Sequence, residues 1–215
     1  MHKHLIIKTL VLGPVQTNTY IAIDKHNREA VVIDPAWEGQ QISYFAKELS
    51  IVVKEVWLTH AHFDHLGGVS GLLDGSSTPI KVALHEDDRS LWEHNGGAAF
   101  FGLQIDPGKE PDTWLRHGDI LQVGRLAFEV RHCPGHTPGH VIFYCKEEGV
   151  VFCGDVIFKQ GIGRTDLPGG DYDTLIDSIQ KHVLDLPDET YLLSGHGPAT
   201  TVGEERRKNP FLRFG

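Results

Sequence analysis

The sequence predicts an α+β protein in which two β sheets pack face to face with helices on their outer sides. Two observations lead there. The chain runs through two successive groups of short apolar strands, each followed by a helical segment and a further strand. Several of those strands stop abruptly in clusters of His, Asp and Gly, the arrangement of a site outside the carboxyl edge of a sheet. No low-complexity linker divides the 215 residues, so one domain over 1–215 is expected, long enough to bury roughly 70% of its unfolded surface.

In order, 5–12 and 19–23 read as strands joined through Gly13 and Pro14, and 30–33 as a short strand stopped by Asp34-Pro35. Over 38–49, Ile42, Phe45, Ala46 and Leu49 share one helical face, and the apolar run 52–58 that follows makes the group a βαβ unit. Val69, Leu72 and Leu73 give a short helix ending before Pro79; 81–84 is a strand and 86–93 a helix. The segment from Asn95 through Phe100-Phe101 is less regular, either a pocket wall or ordinary surface packing. Strands follow at 121–126, 127–132, 141–144 and 150–153, then a helix over 172–184 and a last strand at 191–193.

A net charge of −9 argues against an extended nucleic-acid face and against an anionic membrane partner. Cys133, Cys145 and Cys153 form no close pair, which favours a reducing compartment. The N-terminal run carries charge within it and reads as a strand rather than a signal peptide, and no apolar stretch reaches the roughly 20 residues a bilayer needs. A cytoplasmic protein acting on a small molecule is the expectation, and no motif points to a protein partner.

Chemistry concentrates where the strand at 52–58 ends in Thr59-His60-Ala61-His62-Phe63-Asp64-His65. Imidazole nitrogens and carboxylate oxygens suit zinc, iron or manganese, with His60 and His62 directed to one ion and Asp64 and His65 to a neighbour. A polar surface turn has the same composition. His136 sits in a rigid loop between two Pro-Gly pairs, while His132 and His140 on either side either pack or orient a ligand. Asp155 follows another strand and is suited to bridge two cations, or simply to form a turn with Gly154. His196, between Gly195 and Gly197, completes a two-metal inventory at a third strand end.

THAHFDH at 59–65, PGHTPGH at 134–140, CGDVIF at 153–158 and SGHG at 194–197 resemble the metallo-β-lactamase superfamily, and in combination the glyoxalase II (hydroxyacylglutathione hydrolase) branch in a short form. The resemblance implies a four-layer αββα sandwich with its site at one edge of the sheets. It assigns His60, His62 and His136 to one divalent ion and Asp64, His65 and His196 to a second, bridged by Asp155. Zinc is the first choice, with iron or manganese as alternatives. A metal-bridging water would attack the thioester of S-lactoylglutathione or a related acyl-glutathione, releasing a hydroxy acid and glutathione in methylglyoxal detoxification. Asp64 would orient that water or accept its proton.

Asp34 resembles the superfamily's structural aspartate and would orient a ligand histidine; Thr59 and Thr137 would support ligands or make ordinary loop bonds. Arg164, in a Gly-rich loop, would bind a glutathione carboxylate or pair with Asp166 or Asp171. The lactamase branch's Cys ligand is absent, which favours thioesters over antibiotics. Larger glyoxalase II proteins carry a C-terminal helical region for which this chain has no room after His196. Arg206, Arg207 and Lys208 either supply a shorter binding surface or lie on a helix exterior, and 209–213 resembles a family tail motif. Two other readings are an iron-dependent persulfide dioxygenase, which would use His60, His136 and Asp155, and an inactive metal-stabilised scaffold.

Overall fold

A computed structural model describes residues 3–212. Met1 and His2 of the N-terminal run and Arg213 of the tail motif lie outside the described residues.

The first sheet runs in sequence order: β1 (Leu5–Leu12), β2 (Thr17–Asp24), β3 (Glu29–Ile33), β4 (Val52–Trp57), β5 (Lys81–His85) and β6 (Thr113–Leu115). Its first three strands are antiparallel, and β3 to β6 pair in parallel. Helix α1 (Gly39–Glu48) makes the expected right-sized crossover from β3 to β4. The second sheet contains β7 (Ile120–Val123), β8 (Leu126–His132), β9 (Val141–Cys145), β10 (Val150–Gly154), β13 (Tyr191–Ser194) and β14 (Thr200–Thr201). Between β10 and β13 lie a two-stranded ribbon, β11 (Ile157–Phe158) with β12 (Gly161–Ile162), and helix α5 (Tyr172–His182).

Side-chain alternation explains why these strands read as unbroken apolar runs: both faces are buried. On β3, Val31 and Ile33 point into the layer between the sheets, while Ala30 and Val32 face outward. On β10, Val150 and Phe152 point inward, and Val151 and Cys153 meet the other outer layer. The outer face of the first sheet is covered through Ile42 and Ala46 of α1, Leu66 of α2 (Phe63–Leu66), and Val69 and Leu72 of α3 (Val69–Gly75). Leu175, Ile176 and Ile179 of α5 and Val202 of α6 (Val202–Lys208) cover the second. The result is the αββα sandwich the motifs imply.

The helices take their ends from local chemistry. Asp171 caps α5 by accepting the Thr174 N–H at 2.8 Å, and Lys181 and His182 sit at its C-terminal end, where cations are favoured. Helix α1 touches the backbone of α3: a Cβ on Gly39 would lie 1.9 Å from the Gly68 carbonyl oxygen, so only glycine fits.

Trp57, Phe128 and Phe143 meet at the centre, with Trp57 and Phe128 edge to face at 5.1 Å. Phe128 is fully buried. Phe128→Ala is expected to lower unfolding free energy by about 3–5 kcal/mol. Urea denaturation with an unchanged slope would register that loss as a shifted midpoint.

The structure moves some expected boundaries. The turn between β7 and β8 falls at Gly124-Arg125, because the Asp24 carboxylate reaches across and accepts the Arg125 N–H at 2.8 Å. The helix expected over 86–93 is split into a 3-10 turn, Glu86–Asp88, and α4 (Arg89–Glu93). His85 causes the split by accepting the Asp87 N–H and holding the first turn tight. β6, β14 and the β11–β12 ribbon are two or three residues long, too short to leave a periodic signal.

Candidate metal centre

Four of the seven predicted donors, His60, His62, Asp64 and His65, stand beyond the end of β4, where the chain turns into α2. His136 comes from the β8–β9 loop, Asp155 follows β10 and His196 follows β13. The two sheets therefore deliver donors from opposite sides of one edge. Donor atoms of His60, His62 and His136 lie within 4.8 Å of one another, as do those of Asp64, His65 and His196. Asp155 stands between the triads, 3.4 Å from His65 Nε2 and 3.6 Å from both His136 Nε2 and His196 Nε2. All seven predicted residues meet in one place.

Three of the rings are aimed by their other nitrogen. His65 Nδ1 donates to Asp34 Oδ2 at 3.0 Å, and His136 Nδ1 donates to the Arg164 carbonyl at 2.7 Å. His60 Nδ1 donates to Thr59 Oγ1 at 3.0 Å, which in turn donates to Asp34 Oδ2 at 2.7 Å. This assignment points the Nε2 of all three rings at the site. Asp34 also accepts the Thr59 N–H at 2.7 Å and adopts a φ of 50°, a left-handed conformation that Asp tolerates better than most residues.

His196 is placed from the opposite sheet. Asn18 donates its side-chain amide to the Ser194 and Gly197 carbonyls, both at 2.9 Å, and the Tyr20 hydroxyl donates to Ser194 O at 2.7 Å. Burial pushes the Tyr20 hydroxyl far above its usual pKa, so it remains a donor.

The donor set fits cations. His60 Nε2, His65 Nε2 and Asp155 Oδ1 are buried without a hydrogen-bond partner, a costly arrangement that a metal ion would relieve. Burial, and then the neighbouring histidines, holds His60 well below its ordinary pKa; burial and the His136 ring push His62 down to about 3. Both are therefore neutral near pH 7, the form in which imidazole can bind a metal. Burial also opposes charge on His65, but Asp155, Asp64 and Asp34 outweigh it and raise its pKa. Metal uptake at that triad would thus displace a proton.

A cavity of about 400 Å³ opens over these residues. Its upper wall is apolar: Val15, Phe63, Phe101, Phe158, Ile162 and Leu167. Phe101 packs on Phe63 at 5.1 Å, so one of the two loop aromatics joins the pocket wall, while Phe100 is largely exposed. Arg164 also lines the cavity, but its guanidinium makes two 2.7 Å bonds to Asp166. Among the described residues of the tail none lines the wall: Arg206 pairs with Asp188, Arg207 with Asp188 and Glu204, and Lys208 with Glu204.

Cys153 contributes to the outer apolar layer, and burial pushes its thiol up to about 12. It is no metal ligand. His140 stacks on His60 with ring centroids 4.6 Å apart and accepts the Asp155 N–H at 3.0 Å, so it orients the bridging position. His132 instead stacks on His85 at 4.1 Å beside Asp87, away from the cavity. Among residues the sequence left unmarked are Asn18, Tyr20, Asp88 and Thr17, whose hydroxyl donates to Asp64 Oδ2 at 3.2 Å. None carries a motif.

An αββα sandwich with His and Asp donors converging at one edge defines a class of fold built around a candidate metal centre. The profile of the metallo-beta-lactamase superfamily matches residues 12–196, and the chain belongs to that superfamily. Among curated relatives, a hydroxyacylglutathione hydrolase, GloC, of Haemophilus influenzae is 42% identical over 187 residues, covering 86% of this chain and 88% of the relative. A mitochondrial persulfide dioxygenase, ETHE1, of Bos taurus is 35% identical over 91% of this chain and 71% of its own. Among solved structures, the BLEG-1 B3 metallo-beta-lactamase superposes with a TM-score of 0.90 at 41% identity, covering 96% of this chain and 99% of that one. TTHA1623 in a di-iron-bound form gives 0.87 at 39% identity, covering 95% and 100%. Among the described residues no helix is long and apolar enough to cross a membrane.

Proposed function

We propose that this chain hydrolyses acyl thioesters, with S-lactoylglutathione as the substrate to test first. The observation that carries the reading is the double triad with Asp155 between its halves, set on the floor of an apolar-walled cavity. The likeness to the hydroxyacylglutathione hydrolase of Haemophilus influenzae supports the choice of thioester.

His60, His62 and His136 would hold one divalent ion and Asp64, His65 and His196 a second, with Asp155 shared; zinc, iron and manganese all suit these donors. Bound there, such ions supply Lewis acidity and lower the pKa of water toward neutrality. The chain's own groups do the rest. Asp64 faces the cavity with its Oδ2 held by Thr17 and 3.2 Å from His196 Nε2, a place from which it can orient a water and receive a proton. Phe63, Phe101 and Phe158 exclude bulk water from the acyl group and sulfur. Arg164 must exchange Asp166 for a glutathione carboxylate if it is to bind one, so discrimination for the glutathionyl part is modest. Acyl thioesters of other thiols are then substrates too.

Persulfide oxygenation is the second reading, favoured by the bovine relative and by the same His60, His136 and Asp155. Metal-loaded protein under argon, offered S-lactoylglutathione, separates the two. Loss of thioester absorbance with matching thiol release supports hydrolysis. Oxygen uptake with glutathione persulfide, without anaerobic thioester loss, would replace it by the second reading.

A further inference from the structure

We propose that Asp88 is a positioning residue that sets the spacing between the His60/His62 loop and the His136 loop, so that the affinity of that triad for metal depends on it. This rests on the two-metal reading above.

Asp88 follows β5 and is fully buried. Its carboxylate accepts three hydrogen bonds: Oδ2 from the Ala61 N–H at 2.9 Å and the Thr137 hydroxyl at 2.8 Å, and Oδ1 from the Gly139 N–H at 2.6 Å. Ala61 lies between His60 and His62. Thr137 follows His136, and Gly139 precedes His140, the ring that stacks on His60. One carboxylate therefore joins a loop of the first sheet to a loop of the second at the point where each presents its donors. Charged acceptors held by several donors are strong and geometrically exacting.

The neighbouring backbone is shaped around this group. A Cβ on Gly139 would lie 2.5 Å from the Asp88 nitrogen and 2.8 Å from Oδ1, so the second Gly of the Pro-Gly pairs is required by Asp88's approach. Asp88 touches no donor of the other triad; Asp64, His65 and His196 take their support from Thr17, Asp34 and the loop held by Asn18. That asymmetry separates a positioning role from a general structural one.

Asp88→Asn keeps the volume but leaves an amide nitrogen facing at least one N–H or hydroxyl donor. Metal-free protein would be titrated with zinc against a chromophoric chelator, with circular dichroism recorded on the same samples. Wild type is expected to take up two ions. In Asp88→Asn one affinity falls on the order of 10–100-fold, the usual scale for losing a ligand's outer support, while the other holds. Thr137→Val removes one of the three bonds and should weaken the same site less, and the combined loss should fall short of the sum of the two, because both act through one side chain. If Asp88→Asn does not fold, single-site weakening in Thr137→Val carries the inference. Equal weakening of both sites, or no weakening, overturns it. Fewer than two ions on wild type would instead refute the two-metal reading and this inference with it.

Discussion

Asp155→Ala is expected to reduce thioester turnover by on the order of 10³-fold, the consequence of losing several kcal/mol of transition-state stabilisation at about 1.4 kcal/mol per tenfold. The reason is position. Asp155 is within 3.6 Å of ring nitrogens from both triads, so it is the carboxylate common to both. Burial opposes its ionisation, but His65, His136 and His196 outweigh burial and hold the carboxyl well below the ordinary range. It is therefore charged throughout the physiological range. Alanine removes that charge while leaving the five histidines of the two triads crowded together, and metal per chain should fall with activity. Steady-state kinetics and metal analysis on the same preparation check this; a loss under tenfold with both ions retained would mean that Asp155 is not shared.

Gly195→Ala is expected to cost about 1–3 kcal/mol in stability from overpacking and about 10²-fold in kcat/KM from displaced donors. A Cβ there would stand 2.2 Å from Asp155 Oδ1 and 2.6 Å from His65 Cε1. The backbone has nowhere to retreat. Gly195 donates to Gly154 O at 2.8 Å, and its carbonyl accepts the Asn18 N–H at 2.7 Å, one bond to each sheet. Gly197→Ala is the control. Its Cβ would meet nothing within 4 Å, though its φ of +73° adds about 1–2 kcal/mol of strain. Thermal unfolding and kcat/KM for both variants separate the two causes: Gly197→Ala should lose stability and keep catalysis. Comparable catalytic losses would show that the loop's flexibility, not the crowding at Asp155, explains its glycines.

What could be read from the chain in advance followed from how closely its donors are spaced. Four groups in 60–65 announce themselves, and His136, Asp155 and His196 each stand beside glycine where an apolar run stops. The sandwich was legible for a related reason: strands buried on both faces are continuous apolar runs.

Asp88 had no such signal. It ends an acidic run, Glu86-Asp87-Asp88, that reads as a solvated helix start, and its partners are 27, 49 and 51 residues away. Only the meeting of two sheets buries it. Arg164 illustrates a different limit: its side chain read as either a glutathione contact or a partner of Asp166 or Asp171, and it pairs with Asp166, yet its backbone carbonyl is what fixes His136. Backbone acceptors have no side-chain signature. The sequence also left open whether the basic tail binds substrate or lies on a helix exterior, and folding places Asp188 and Glu204 beside it.

The most direct test is to strip the protein of metal, add zinc in fractional equivalents, and follow S-lactoylglutathione hydrolysis at each step. The account predicts hydrolysis that rises with added ion and levels off at two per chain. Full two-ion loading with no thioester hydrolysis would contradict it.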